Sequence, residues 1–196
     1  VRGNTLPKDL VSLGENVRCI REDETSTVYQ LKDPTGEGLM TVYSVFPGIN
    51  LHFNDFHIGH CRSHFQSKIP LFCIDHCREG RLEWEMHDGS CRYMEAGDLQ
   101  MDSRRQHSGT FNFPLRHYHG ITISICAEDA ADVLSGILEN FPVDVATLRR
   151  KFCRDDQPLI IRADPAIEHI FSELYSVPER IRIPFFQIKV LELERQ

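Results

Sequence analysis

Ten histidines in 196 residues are where chemistry would first be sought, because imidazole ligates zinc, iron, copper and nickel. They fall into three groupings: His57, His60 and His64; the His117-Tyr118-His119 pair; and His107, which joins either. On a strand, the HxH spacing puts the rings of His117 and His119 on one face, the arrangement by which a β-barrel ligates a metal. Pro114 and Arg116 indicate a turn just ahead of that strand, and no Asp or Glu follows at short spacing. The alternative is that these histidines are solvated or core side chains. No metal or other cofactor is then expected; the other reading is that this His-rich segment senses a metal or haem, with His57, His60 and His64 as the ligands of any metal.

Other reactive chemistry is sparsely encoded. The sequence holds no G-x-S-x-G elbow, P-loop, G-x-G-x-x-G or H-E-x-x-H. Glu83 and Glu85 share a strand face and make a candidate carboxylate pair, with an exposed Arg81/Glu83/Glu85 face as the plainer reading. Asp75 and Glu83 meet if Glu79-Gly80 is a hairpin turn. The seven cysteines are odd in number and scattered, so they read as reduced thiols, mostly small buried hydrophobes. Cys73 and Cys77 lie on one strand face with three residues between them, the wrong layout for a zinc knuckle.

The elements that must position these groups centre on residues 71–102, a run of short strands with tight turns at Glu79-Gly80, Asp88-Gly89 and Glu95 to Asp98. Leu71, Cys73, Asp75 and Cys77 share one face, and Phe72, Ile74, His76 and Arg78 the other. Beyond Gly80, Leu82, Trp84 and Met86 point inward. Upstream, strands are predicted over 17–20, 27–31, 39–46 and 49–53, the last with His52 on the face opposite Ile49, Leu51 and Phe53. Residues 54–70 lack an apolar period and read as a long loop. Phe111, Phe113, Tyr118 and the run 120–125 complete a β-barrel.

From Ala127 the period becomes helical. Asp129 caps a helix carrying Val133, Leu134, Ile137, Leu138 and Phe141; Asp144 caps a second with Val145, Leu148 and Phe152. Asp164-Pro165 opens a third with Ile167, Ile170, Phe171 and Leu174. A fourth begins near Pro184, with a stripe of Phe186, Val190 and Leu193 beside Ile188 and Leu191. That stripe packs on the chain's own barrel or is shared with a second copy. No Gly, Asn or Pro ends it before Gln196, so the natural polypeptide is expected to continue. The expected class is α+β, an antiparallel β-barrel over 1–126 and about four helices over 127–196.

Acidic residues outnumber basic ones 29 to 22, for a net charge of −7, so these residues do not encode a phosphate-facing basic surface. No apolar run approaches the ~20 residues that cross a bilayer, and no signal-peptide core is present, so a cytoplasmic protein without membrane contact is expected.

In order along the chain, CREGRLEWE (77–85), the turn at Gly89, EAGDLQM (95–101), FPLRHYHGITISI (113–125) and FFQIKVLELE (185–194) resemble the N-terminal sensor domain of AraC-type transcription regulators. The resemblance covers residues 71 onward, and the first 70 only by strand pattern. It implies a cupin-like jelly-roll barrel that receives a small-molecule effector, helices that form a homodimer, and a separate helix-turn-helix domain through which DNA is bound. Cupin enzymes such as metal-dependent dioxygenases and isomerases share the barrel. If Gly80 is the hairpin glycine of their first motif, Cys73 stands at its Glu position and its His positions fall among residues 66–69, none of them a ligand. His107 matches the His of their second motif, so one ligand of four survives.

The reading is therefore a non-enzymatic sensor. Its pocket is expected to have walls of Phe72, Ile74, Trp84, Met86, Phe111 and Ile123 and polar contacts from His52, His76, His107 and His119. Phe186, Val190, Leu191 and Leu193 are expected on the dimer helix.

Overall fold

A computed structural model describes residues 11–14, 16–86, 88–105, 107–126, 128–130, 145–153 and 157–193. Its strands are β1 (Val11–Ser12), β2 (Val17–Glu22), β3 (Ser26–Asp33), β4 (Gly36–Phe46), β5 (Ile49–His57), β6 (His60–His64), β7 (Gln66–Ser67), β8 (Leu71–Glu85), β9 (Cys91–Glu95), β10 (Asp98–Asp102), β11 (Ser108–Asn112), β12 (Tyr118–Cys126) and β13 (Leu159–Arg162). The helices are α1 (Val145–Phe152), α2 (Pro165–Tyr175) and α3 (Arg182–Leu193), the last preceded by a 3-10 turn at Glu179–Ile181. The helix expected from Asp129 to Phe141 lies almost wholly outside the described residues.

The strands make an antiparallel sandwich. One layer runs β13-β10-β8-β12-β5-β4-β3-β2, and the other joins β9, the end of β8, β11 and β6. Among the described residues β2 and β13 do not pair with each other, so the sheet is open where a closed barrel was expected.

The two layers meet in β8. Its first half pairs with β10 and β12, and its second half, Arg81 to Glu85, pairs with β9 and β11. Glu79-Gly80 is therefore no hairpin but the corner of one 15-residue strand. Gly80 has φ 94°, and a Cβ there would sit 2.2 Å from the His117 carbonyl oxygen. Glycine at this point permits both the bend and the close approach of the next strand. Asp75 and Glu83 consequently lie in different layers and do not face each other. Glu83 instead accepts from Arg81 Nε at 2.7 Å on an outward face, as the plainer reading held.

Residues 54–70 are also more ordered than their pattern indicated. β5 continues to His57, and β6 pairs along all of β11. Of the β6 side chains only Cys61 is buried, which explains why no apolar period marks the strand. Strand β13 was likewise hidden, being an edge strand whose Leu159 and Ile161 stay exposed.

The helix start expected at Asp164-Pro165 forms as its cap predicts. Asp164 accepts from the backbone N–H groups of Ala166 and Ile167 at the start of α2, with Pro165 in the first turn. α3 starts at Arg182, because Pro184 is tolerated in a first turn where its missing N–H has no intrahelical partner. α2 and α3 pack on the outer face of the large sheet, in one core with Phe72, Ile74, Ile121, Ile123 and Ile125. Phe186, Val190 and Leu193 lie in that core, with the Phe186 ring 5.2 Å from Tyr43 and 5.5 Å from Phe53. These three, assigned from sequence to a dimer seam, are thus occupied within the chain. The outward stripe is Ile181 of the 3-10 turn with Pro184 and Ile188 of α3, followed by half-buried Leu191. No described helix is long and apolar enough to cross a membrane.

The corner at Gly80 sets a test of the architecture. Gly80→Ala should destabilise the fold by roughly 2–4 kcal/mol, read as a lower urea midpoint, because a side chain meets backbone on the neighbouring strand. An unchanged midpoint would show that the bend does not need glycine.

Candidate ligand-binding cavity

Alternation along the large sheet divides its side chains between two environments. Ile49, Leu51 and Phe53 of β5, Ile121, Ile123 and Ile125 of β12 and Phe72 and Ile74 of the first half of β8 enter the helix-covered core, while Cys73 and Asp75 of β8, His52 and Asn54 of β5, Thr122 and Ser124 of β12 and Gln100 of β10 turn inward. Between the layers they line a cavity of about 180 Å³. Its apolar walls come from Leu31, Phe56, Trp84, Met94, Phe111, Phe113 and Tyr118. Trp84 and Phe111 are register partners whose rings stack at 6.0 Å.

One side of the cavity is polar and ordered by Arg104. Its side chain is 8% exposed and sits at a turn where the backbone takes φ 57°. The Asp102 carboxylate stabilises this turn by accepting the Arg104 N–H at 2.9 Å. The guanidinium then reaches inward, donating Nη2 to Asp75 Oδ1 at 2.5 Å and Nη1 to Asp102 Oδ2 at 3.1 Å, with His107 Nδ1 at 3.4 Å. Thr122 Oγ1 also donates to Asp75 Oδ1, at 2.6 Å, and accepts from Asn54 Nδ2 at 3.0 Å. Gln100 Nε2 donates to Asp102 Oδ2 at 2.7 Å. Two acceptors in this network, Asp75 Oδ2 and Gln100 Oε1, are buried without a hydrogen-bond partner among the described residues. Orphaned acceptors are costly in a low-dielectric interior, and a ligand or water supplying N–H or O–H groups would satisfy them.

Burial controls protonation throughout. Burial lowers the His52 pKa to about 3, with Arg104 adding to the effect, and the same two causes bring His107 to about 3. Both imidazoles are therefore neutral, His52 sharing a hydrogen bond with Ser124 Oγ at 2.9 Å. Burial pulls the Arg104 pKa down, but Asp102 and Asp75 outweigh it and hold the guanidinium charged. Burial, with Asp33 adding, pushes the Cys61 thiol up to about 12, and burial pushes Cys73 well up too, so neither is a thiolate nucleophile.

Of the residues expected in the pocket, His52, Trp84, His107 and Phe111 line the cavity. Phe72, Ile74, His76 and Ile123 do not. They occupy the opposite face of their strands, beneath α2 and α3, because the register places Cys73 and Asp75 inward instead. Met86 is buried in the inner cluster without lining the main cavity. His119 is half-buried on the outer face of the sheet. Arg104, Asp75, Asp102 and Gln100 were missed as a cavity cluster. Nothing in the local pattern around Ser103-Arg104-Arg105 shows that one arginine turns inward.

The metal donors of a cupin enzyme do not assemble here. Cys73 and His107 line the cavity, but the Cys73 thiol stays protonated and the His107 Nδ1 faces Arg104. Among the described residues no three His, Cys, Asp or Glu ligand atoms converge inside the cavity. His57, His60 and His64 do not converge either: His57 lies beside Asp55 on β5, and His60 faces Asp33 at 3.6 Å after the chain has crossed to the other layer.

No protein-family model matches this sequence, and no curated protein matches it significantly. Solved structures that it resembles are remote. A putative ethanolamine utilization protein Q from Salmonella typhimurium LT2 shares 14% identity at a TM-score of 0.35, covering 59% of this chain and 98% of its own. The AraC-like transcriptional activator CuxR shares 10% identity at a TM-score of 0.44, over 95% of this chain and 61% of that one. YhhW from Escherichia coli, a bacterial pirin solved with nickel(II), shares 13% identity at a TM-score of 0.34, over 58% of this chain and 53% of its own. The chain thus spans little more than half the length of the latter two.

The buried histidines give the cavity a pH signature. Their folded pKa values lie below the unfolded value near 6.5, so the unfolded state binds more protons between pH 6.5 and about 3, and stability falls as pH drops through that window. Each contributes up to ~1.4 kcal/mol per pH unit. Urea midpoints should fall from roughly pH 6.5 to pH 5, above the carboxylate range, and flatten in a His52→Gln/His107→Gln variant. An equally steep double variant would place the acid sensitivity elsewhere.

Proposed function

We propose that the chain is the effector-binding and dimerisation part of a cytoplasmic AraC-type transcription regulator, with no catalytic activity of its own. Its DNA contacts would belong to a separate helix-turn-helix domain, in keeping with the net charge of −7. The observation that carries this reading is the division of labour along β8. Asp75 enters the cavity cluster, and the next residue, His76, enters the helix layer, where its ring stacks on Phe171 of α2 at 4.4 Å and Nε2 meets Glu168 Oε1 at 3.1 Å. A ligand that rearranges the Asp75 cluster therefore acts, one peptide away, on the seat of α2.

The cavity supports a small effector, since about 180 Å³ is below the ~300–1,000 Å³ of drug-sized sites. Apolar walls with two unpaired acceptors favour a compact molecule with an apolar body and a hydrogen-bond-donating end. The response is a shift between two arrangements of the helices on the sheet, driven by differential affinity of the effector for each. The outward stripe of Ile181, Pro184, Ile188 and Leu191 is the surface at which a second copy would meet α3.

Two measurements test the proposal. Trp84 is the single tryptophan and lines the cavity, so a small-molecule screen should yield compounds that raise the melting temperature and alter its fluorescence together. Chemical conversion of such a compound by the protein would sink the non-catalytic reading. Separately, Ile188→Arg should give a folded monomer by sedimentation where the parent is a dimer. A parent chain that is itself monomeric, or a variant that remains dimeric, would refute the role of this stripe.

A further inference from the structure

The outer face of the large sheet carries a second polar cluster, remote from the cavity face of the same strands. Asp55 and His57 are two residues apart on β5 and so share a face, and His119 on β12 is the direct register partner of Asp55. His57 Nε2 lies 3.0 Å and His119 Nε2 2.9 Å from the same oxygen, Asp55 Oδ1. The donor atoms of all three residues lie within 4.8 Å of one another. On its other side, His119 is the register partner of Glu79 on β8, whose Oε2 is 4.0 Å from Nδ1.

We propose that Asp55, His57 and His119 form a binding site for a divalent transition ion of the zinc class. Two imidazole nitrogens and a carboxylate oxygen are the donor set such ions take, at bond lengths of about 2.0–2.2 Å, and three protein ligands leave a position open to water. A tetrahedral ion holds its donors about 3.4 Å apart, and the two contacts with Asp55, at 3.0 and 2.9 Å, are close to that separation. The His119 Nε2 is shut off from solvent and, despite its proximity to Asp55, makes no hydrogen bond of acceptable geometry among the described residues. It is a nitrogen aimed into the cluster with nothing adequate to bind. Glu79 stands where a carboxylate orients a ligating imidazole through its other nitrogen.

The backbone supports the arrangement. The ligands stand on two hydrogen-bonded strands, and the register slips between His119 and Gly120 on the β8 side, a bulge of the kind that re-aims a side chain. His117 is a neighbour, its ring 6.2 Å from His119, but its Nδ1 donates to the Leu115 carbonyl and it is not among the converging donors. The cluster lies on β5 just past Phe53, whose ring packs on Tyr175 at the end of α2. An ion here would cross-link β5 and β12 at the margin of the helix layer. This inference does not depend on the effector reading, since it uses none of the cavity residues.

The test uses the untagged chain, with zinc chloride titrated by calorimetry and cobalt(II) followed by its visible absorption. One ion should bind per chain, and Asp55→Asn and His119→Ala should each weaken binding about tenfold or more. A His60→Ala/His64→Ala variant should bind as the parent does. Because Asp55, His119, His60 and His64 are exposed or half-buried, circular dichroism of those variants should be unchanged. Absence of binding to the parent chain overturns the proposal. So does binding that survives both Asp55→Asn and His119→Ala, or that disappears instead with His60→Ala/His64→Ala or with His52→Gln in the cavity.

Discussion

A guanidinium held between two carboxylates inside a β-sandwich constrains everything around it. Desolvating Arg104 alone would cost several kcal/mol, and the attraction of Asp75 and Asp102 offsets this only when both are correctly placed. Those partners come from β8 and β10, whose register sets Gln100 opposite Asp75 and Asp102 opposite Cys73. A slip of one residue would turn Asp75 into the helix layer and bring Phe72 and Ile74 inward, leaving the arginine buried without compensation. The ion cluster therefore fixes the register as well as furnishing the cavity. Removing one partner of such a cluster typically costs about 3–5 kcal/mol, more than the left-handed backbone at Arg104 adds.

How much of this was legible follows from where each signal resides. Strands β3, β4 and β12, the first half of β5, the Asp164-Pro165 helix start and the turns at Gly89 and Gly97 are written in local alternation and turn chemistry, and they lie near where they were read. Gly80 was read as a turn because a positive-φ glycine between two alternating runs looks the same whether the chain reverses or bends. Only the pairing of Arg81 to Glu85 with a different set of strands separates the two. The face of β8 was misjudged for a related reason. A strand covered by helices on one side and facing a cavity on the other carries apolar residues on both, so alternation cannot say which is which. Asp75 held the information, as a carboxylate among buried positions that needs a cation, but its partner lies 29 residues away in a turn.

The two histidine populations of the sheet differ because their surroundings do. His52 and His107 face a desolvated interior with a fixed cation nearby, which favours the neutral ring and leaves no room for a further positive ion. His57 and His119 stand on the opposite face of the sheet, beside carboxylates and without a cation between them. The same residue type thus serves as a neutral hydrogen-bonding wall on one side and as a candidate ligand set on the other. Strand alternation separates His52 from His57 and His119, while His107 reaches the interior from the turn ahead of β11.

The corner at Gly80 bears on how a molecule reaches the interior. Because both layers are continuous through β8, and the bend is backed by the His117 carbonyl, the sandwich cannot part along that side as a clam does about its hinge. The lining residues that are exposed or half-buried, Leu13, Asn16, Arg62, Ser63 and Phe65, stand apart from the Arg104 cluster at the buried side. If the cavity takes a guest as proposed, side chains of the first set would govern how fast it arrives or departs, and Arg104 how tightly it is held. Residence time and selectivity would then belong to separate parts of the chain.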